Sequence, residues 1–280
     1  MAIRVVTDST CDIPPMLVQE LGITVVPLTV RFGQESYRDG IDMDNDQFFA
    51  RLEESLTMPA TSQPPVGDFL RVYRQMVERG DQVLSIHISS RLSGTYQSAL
   101  TASQEVGVEG SLRVMDSFTG SMGTGFAVLA AVRAARSGAS LKEAAQAAQD
   151  TLRRTRTYLM VDTLKYLEMG GRIGKAQALL GSLLQVKPIL AVRDGEIVPL
   201  KQVRTRPRAL EALYSLVEDS GEIEEAAVVY TTTPEEAQEL ARRLETKLPR
   251  ERILVSTCCA VIGAHIGPGA MGVIVVTGHP

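Results

Sequence analysis

Hydrophobic and polar positions in the first half of the chain alternate between strand-like runs and longer amphipathic segments of helical spacing. The apolar stretches at Ile3–Val6 and Gln82–Ile88 are short and rich in β-branched residues, whereas Thr95–Val106 has helical spacing and ends at a glycine. Strands that alternate with helices in this way predict a parallel sheet with helices on both of its faces.

The pattern changes in the second half of the chain. Ile189–Val192 and Ile197–Val203 flank the dipeptide Asp194-Gly195, which is typical of a two-residue hairpin turn. Because a hairpin pairs its strands antiparallel, the second sheet is predicted to be mixed.

The pattern therefore predicts an α/β protein of two domains, with the boundary near Thr155. Residues 1–155 are expected to form an α/β/α domain with a parallel sheet and hydroxyl-rich ligand loops, and residues 156–280 a mixed-sheet α/β domain. Within the first domain, Ile23–Val30 is predicted to be one strand and the proline-rich residues 59–65 a loop.

Composition and charge exclude several classes of protein. The net charge of −4 argues against a general nucleic-acid binder, and no run approaches the ~18 apolar residues of a membrane span. The N-terminus turns polar after a few residues, unlike a signal peptide, so an intracellular location is expected. The three cysteines form no CxxC pair, and no histidine has zinc-like spacing, so no metal site is expected.

Four loops rich in serine and threonine follow predicted strands or join predicted helices. They comprise residues 7–10, 61–62, 89–93 and 116–123. Together they predict a site for a small oxyanion, such as a carboxylate or phosphate, at one edge of the first sheet. From spacing alone, Ser93 is more simply explained as a helix N-cap than as a ligand.

Three further segments allow both a structural and a functional interpretation. Arg172, in a glycine-rich loop, is either a surface arginine or a bidentate partner for a carboxylate. The basic residues 201–208 form either a solvated face or a docking patch for an acidic partner. The apolar residues 176–184 either line a cavity or pack in the core.

Motifs for catalysis are weak in this sequence. Residues 267–272 match GxGxxG, but a strand follows them and no helix does, which excludes the dinucleotide fingerprint. We find no phosphate-binding P-loop and no GxSxG nucleophile elbow, and His87 lies within a predicted strand, where a catalytic base is hard to reach. The chain is therefore not expected to be an enzyme by itself.

Several segments, in order along nearly the whole chain, resemble the DegV family of bacterial proteins. The matching segments are VTDSTCDIP, PATSQPP, SSRLSGTYQSA, DSFTGSMGTG, YLEMGGRIG, KPIL, DGEIVPLKQVRTR and HIGPGAMG. The resemblance implies two α/β domains that bind a long-chain fatty acid without any cofactor. It also implies a separate fatty-acid kinase, which phosphorylates the carboxyl group of the bound lipid.

The resemblance also assigns roles to individual residues. Thr61 and Ser93 resemble the hydroxyls that contact the carboxylate, and Arg172 and His265 resemble the network around this head group. Arg204 resembles the basic residue with which such a carrier docks onto its kinase.

The function expected from the sequence is thus that of a cytoplasmic lipid carrier in bacterial phospholipid metabolism. It is not expected to bind nucleic acid, and transient contact with membranes could serve the exchange of lipid. Two alternatives stay open: a lipid-responsive regulatory module without transfer, and, with less support, a small-molecule phosphotransferase or hydrolase.

Overall fold

The computed structural model describes residues 2–55, 57–108, 110–180 and 186–278. Its first half contains strands β1 (Ile3–Asp8), β2 (Thr24–Val26), β3 (Thr29–Phe32), β4 (Glu35–Arg38), β5 (Ala60–Ser62), β6 (Gln82–His87) and β7 (Leu112–Asp116). Helices are α1 (Pro15–Leu21), α2 (Asn45–Glu54), α3 (Val66–Glu78), α4 (Thr95–Val106), α5 (Met122–Arg136) and α6 (Leu141–Arg154). Four of the strands form a parallel sheet in the order β2-β1-β6-β7, which confirms the predicted sheet type.

Helices cover both faces of this parallel sheet, as the alternating pattern predicts. On one face, Phe69 and Tyr73 of α3 and Ala99 of α4 pack against Val6 and Val83. On the other face, α5 and α6 pack against side chains of β1 and β6 that point the opposite way. The predicted capping box at the start of α6 is confirmed, with Ser140 and Glu143 each bonding the other's backbone.

The second half contains strands β8 (Thr155–Met160), β9 (Lys187–Arg193), β10 (Glu196–Val203), β11 (Ile223–Tyr230), β12 (Ile253–Thr257) and β13 (Met271–Thr277). Its helices are α7 (Lys165–Met169), α8 (Arg206–Glu218), α9 (Pro234–Leu244) and α10 (Ala260–Ile266). The strand order is β10-β9-β8-β13-β11-β12, and only β11 and β12 pair in parallel, so the predicted mixed sheet is confirmed.

The predicted hairpin is confirmed. Asp194 and Gly195 have φ angles of 49° and 82°, the left-handed pair that a tight turn between β9 and β10 requires.

The single strand predicted over Ile23–Val30 is wrong. It divides into β2, which joins the parallel sheet, and β3, which joins a small antiparallel sheet in the order β4-β3-β5. Pro27 lies between the two strands and has no N–H for a ladder, which explains the break. The predicted loop over residues 59–65 is also wrong in part, because β5 lies inside it and pairs with β3.

One apolar layer is shared by the two halves of the chain. Helices α5 and α6 pack on the parallel sheet and also contact Ala227, Ile274 and Val276 of the mixed sheet. Helices α8 and α9 cover the opposite face of the mixed sheet. Strand β8 begins at Thr155, but since the core continues across this point, the boundary between two domains stays a prediction.

Candidate functional site

A cavity of about 250 Å³ lies between the loops at the carboxyl edge of the parallel sheet and one face of the mixed sheet. This volume is far larger than the ~10–15 Å³ that one water molecule needs. Its walls are mainly apolar, and the aliphatic residues that line it are Leu28, Ile88, Leu92, Leu159, Leu167, Val192, Ile197, Val229, Val261, Ile262, Ile266, Ala270 and Ile274.

The floor of the cavity lies on the same face of the mixed sheet as α5 and α6, since Val229 and Ile274 belong to the apolar cluster of these helices and also line the cavity. Thr157 and Leu159 of β8 lie opposite Ile274 and Gly272 of β13, and Val229 of β11 lies opposite Gly272. All five residues line the cavity. Because Gly272 has no side chain, the floor is open at its centre.

Thr61, Ser93, Arg172 and His265 all line this one cavity. Thr61 Oγ1 lies 2.9 Å from His265 Nε2, a contact that joins positions 204 residues apart. The structure therefore brings together the four residues that the sequence proposed for the head group. Their role as ligands stays a prediction.

Arg172 is held in place by backbone oxygens. Its Nε donates to the carbonyl of Leu92 over 3.0 Å, and its Nη1 donates to the carbonyl of Gly170 over 2.7 Å. Among the residues that the structure describes, no acidic side chain forms an ion pair with it. A guanidinium that lines an apolar cavity, with no acidic partner in the described part of the chain, suits an anionic ligand group.

His265 is neutral at physiological pH. Burial, and then the nearby charge of Arg172, lowers the pKa of His265 to about 4. Its Nδ1 is buried and has no hydrogen-bond partner within the described part of the chain. The imidazole therefore acts here as a neutral hydrogen-bonding group, and Arg172 supplies the positive charge.

Three of the four hydroxyl-rich loops reach the cavity. Residues 61–62, Ser93 and Ser121 line it, whereas residues 7–10 do not. Ser93 accepts from the N–H of Thr95 at the start of α4, although Gly94 occupies the N-cap position. The two sequence-based interpretations of Ser93, helix start and cavity wall, are therefore compatible.

The fourth loop belongs to a buried polar network instead. Asp8 Oδ2 lies 2.9 Å from His87 Nδ1, and His87 Nε2 lies 2.7 Å from Ser85 Oγ, which accepts from Tyr73. The order Asp-His-Ser imitates a catalytic triad. However, all four side chains are fully buried and the serine already has two partners, so the network ties β1, β6 and α3 together and offers no accessible nucleophile.

Two buried carboxylates, which the sequence interpretation missed, hold the start of α10. Asp12 accepts from the N–H of Cys259 and from Ser121, and Asp39 accepts from the N–H of Ala260 and from Ser9. Burial raises the pKa of Asp12 to about 7 and that of Asp39 to about 6, against these hydrogen bonds. Since α10 carries His265, the two aspartates anchor one wall of the cavity.

The basic cluster divides into two kinds of arginine. Arg204 is exposed at the end of β10, the edge strand of the mixed sheet. Arg206 is mostly buried, and its guanidinium contacts Asp162, Glu236 and the carbonyl of Gly269. Arg206 is thus part of the fold, while Arg204 is available at the surface.

The predicted wall at residues 176–184 is only partly described. Ala176 is buried among the apolar side chains under the cavity, and the 3₁₀ turn Gly174–Leu179 carries it. Residues 181–184 lie outside the described residues.

Cofactor and membrane features are absent from the described residues. No group of histidine, cysteine and carboxylate side chains among them could hold a metal ion. Within the same part of the chain, no helix has the length and apolar character to cross a bilayer. The three cysteines are free thiols.

Comparison with known proteins finds a matching family and solved structures of the same fold. The family model of the DegV family of uncharacterised proteins matches residues 2–278. A fatty-acid-binding DegV family protein from Thermus thermophilus has a TM-score of 0.92 at 37% identity, over 99% of this chain and 100% of the other. DegV from Bacillus subtilis, described as a fatty acid binding protein, has a TM-score of 0.90 at 36% identity, over 99% and 100%. A stearic acid-binding protein from Eubacterium ventriosum has a TM-score of 0.90 at 28% identity, over 98% of each chain.

Proposed function

This chain belongs to the DegV family, and on that basis we propose that it binds one long-chain fatty acid in the cavity between its two sheets. The observation that carries the proposal is the cavity itself, whose walls are mainly apolar and whose polar groups are several hydroxyls, the amide of Gln63, one neutral imidazole and one guanidinium. That distribution matches a molecule with a long apolar tail and a single anionic head. The fatty acids bound by its relatives have this chemistry.

The apolar tail supplies most of the binding free energy in this proposal. Each buried methylene is worth ~0.8 kcal/mol, so ~14 of them contribute on the order of 11 kcal/mol before losses. Lost translational and rotational freedom removes several kcal/mol of this. The head group therefore needs to contribute little, and a carboxylate held by few groups stays accessible to a second protein.

The head-group site suits a carboxylate that must later react. Arg172 faces it with a guanidinium already fixed by two carbonyls, and Thr61 and Ser93 offer hydroxyl donors. A carboxylate beside His265 would raise the pKa of this imidazole from its low value, because an opposite charge favours the protonated form. Binding is thus expected to be coupled to the uptake of protons at acidic pH.

The first prediction is that the protein purified from bacterial cells carries about one equivalent of fatty acid. Organic extraction of the denatured protein, followed by mass spectrometry, measures the lipid and its stoichiometry. Protein that arrives without lipid and shows no melting shift with palmitic, oleic or stearic acid would contradict the proposal.

Paired variants locate the ligand in the same experiment. Thr61→Ala combined with Ser93→Ala removes two donors to a charged group, each worth about 1.5–3 kcal/mol. We expect lower affinity but retained binding, because the tail contacts are unchanged. Ser36→Ala is the matched control, because this exposed serine of β4 does not line the cavity, and it should bind as the parent does.

We further propose that this protein is not an enzyme by itself but presents its lipid to a separate fatty-acid kinase in the cytoplasm. The three free thiols suit that reducing compartment. The exposed Arg204 provides a charge with which the carrier could dock onto an acidic partner. Membrane contact during lipid exchange belongs to the same proposal.

The second prediction is that Arg204→Ala retains its bound lipid and its melting temperature but slows acyl-phosphate formation by a cognate kinase and ATP. Docking charges act mainly on association, so the difference from the parent should narrow as salt screens the attraction. Arg252→Ala is the control, because this exposed arginine precedes β12 at the opposite edge of the sheet. Equal rates for Arg204→Ala and the parent at low salt would rule out the docking role.

A further inference from the structure

Gly170, which follows α7, lies directly against the imidazole of His265. A Cβ atom at position 170 would lie 2.1 Å from Nδ1 and 2.9 Å from Cε1 of that ring. Non-bonded heavy atoms settle at ≈ 3.5–4.0 Å, so any side chain here would force the ring to move. The backbone at Gly170 has φ −78° and ψ −6°, which every residue tolerates, so the close contact and not the conformation requires glycine.

The carbonyl of Gly170 contacts the other charged member of the head-group site. It accepts the 2.7 Å hydrogen bond from Nη1 of Arg172, while Nε of the same guanidinium bonds Leu92. One residue therefore touches both His265 and Arg172, from its Cα side and from its carbonyl side.

Close packing of α7 against α10 makes this double contact rigid. Gly267, just after α10, lies beneath the ring of Tyr166 in α7, where a Cβ would be 2.3 Å from the ring. The two contacts are reciprocal. Gly170 at the end of α7 packs against the His265 ring of α10, and Gly267 at the end of α10 packs against the Tyr166 ring of α7. Neither segment can rotate without driving one ring into backbone.

We propose that Gly170 is a positioning residue for the head-group site. Its bare Cα sets the His265 ring so that Nε2 meets Thr61 Oγ1 at 2.9 Å, and its carbonyl aims the guanidinium of Arg172 into the cavity. The inference rests on the proposed function for the identity of the ligand, whereas the geometry that it describes is a property of the protein alone.

The test is a double-mutant cycle between Gly170→Ala and His265→Ala. Gly170→Ala alone should lower the affinity for palmitic acid about tenfold, equivalent to about 1.4 kcal/mol. In the background of His265→Ala the ring is absent, so adding Gly170→Ala should change melting temperature and affinity little, with an affinity within about twofold. If Gly170→Ala does not fold, restored folding in the double variant supports the same conclusion.

Imidazole NMR provides a readout that does not depend on any ligand. The chain has only three histidines, so the His265 signals can be assigned. Gly170→Ala should shift these signals and raise the apparent pKa of His265, because a displaced ring loses burial. Gly171→Ala is the control: Gly171 has φ +67° and no neighbour within 4 Å of a Cβ, so it adds backbone strain without touching the ring.

Two results would overturn the inference. One is a Gly170→Ala protein with parent-like affinity and unchanged His265 signals. The other is a loss of stability in Gly170→Ala that persists in full when His265 is removed. If the parent binds no fatty acid while the melting temperatures of the cycle and the His265 signals of Gly170→Ala change as expected, the proposed ligand is wrong and the positioning role stands.

Discussion

Gly272→Leu is expected to weaken the binding of stearic acid by about 50-fold. The leucine side chain would exclude about three methylenes of the ligand from the cavity, and each buried methylene contributes ~0.8 kcal/mol to the binding free energy. Gly272 lies in the floor of the cavity, between Leu159 of β8 and Val229 of β11. A leucine there would occupy space that the proposed acyl chain fills. Titration calorimetry with lauric, palmitic and stearic acids measures the loss, which should grow with chain length.

Gly272→Ala is the matched control for this experiment. A Cβ at position 272 would lie 3.3 Å from the carbonyl oxygen of Tyr158, and both variants share this mild crowding. Only the leucine side chain extends further into the cavity. The difference in affinity between the two variants therefore measures the effect of filling that part of the cavity. Parent-like binding of stearic acid by Gly272→Leu would show that the acyl chain does not cross this part of the floor.

The second large effect is expected from Asp12→Asn, which should stabilise the protein at pH 8 and leave it nearly unchanged at pH 4. Burial raises the pKa of Asp12 from its usual range to about 7. A raised pKa in the folded state means that the stability contributed by this carboxyl is fully present below the unfolded pKa and is lost as pH rises towards about 7. The shift of roughly three pKa units corresponds to at most ~4 kcal/mol at alkaline pH.

Asparagine preserves the contacts of Asp12. Its Oδ1 can accept from the N–H of Cys259, and its Nδ2 can donate to Ser121. Position 12 has φ 51°, a left-handed conformation that asparagine tolerates. Chemical denaturation of both proteins between pH 4 and pH 8 gives the difference in the free energy of unfolding at each pH.

An exposed aspartate provides a control of opposite sign. The guanidinium of Arg38 lowers the pKa of Asp42 to about 2, so the stability that Asp42 contributes is present above its unfolded pKa. Asp42→Asn should therefore destabilise slightly at neutral pH. If Asp12→Asn destabilises equally at every pH, the carboxylate of Asp12 is needed as an acceptor and its buried charge is not a cost.

In the parent protein, His265 and Asp12 have opposite effects on how the free energy of unfolding depends on pH. Because the pKa of His265 is lowered, the stability due to its neutral form is present above its unfolded pKa and is lost as pH falls towards about 4. As pH rises, the contribution of Asp12 to stability decreases and that of His265 increases. Comparing variant with parent at each pH removes the histidine contribution, because it is common to both.

Much of the fold follows from short-range features of the sequence. The Asp194-Gly195 turn, the Ser140–Glu143 capping box and the limits of α4 all depend on residues within a few positions of each other. Local backbone preference and side-chain periodicity decide such elements, so the sequence predicts them directly. The same reasoning fails at β5, whose pairing with β3 is a contact between distant segments.

The candidate site depended on family resemblance as much as on residue patterns. Spacing alone favoured a helix-start role for Ser93 and left Arg172 undecided, and nothing near His265 in the sequence suggested a ligand. What joins them is a set of contacts between distant positions, such as the Thr61–His265 hydrogen bond. Local pattern cannot report a pair that meets only after the two sheets have packed.

By itself, then, the sequence determined the alternation of strands and helices, the two sheet types and the supply of hydroxyls at the ends of strands. Only the tertiary structure decided that the carboxylate of Asp12 accepts a hydrogen bond from Cys259, 247 positions away, and that position 170 must lack a side chain where it packs against His265. Short-range order follows from the backbone and from side-chain periodicity. Burial, close approach and shifted pKa values arise only when distant segments exclude water from one another.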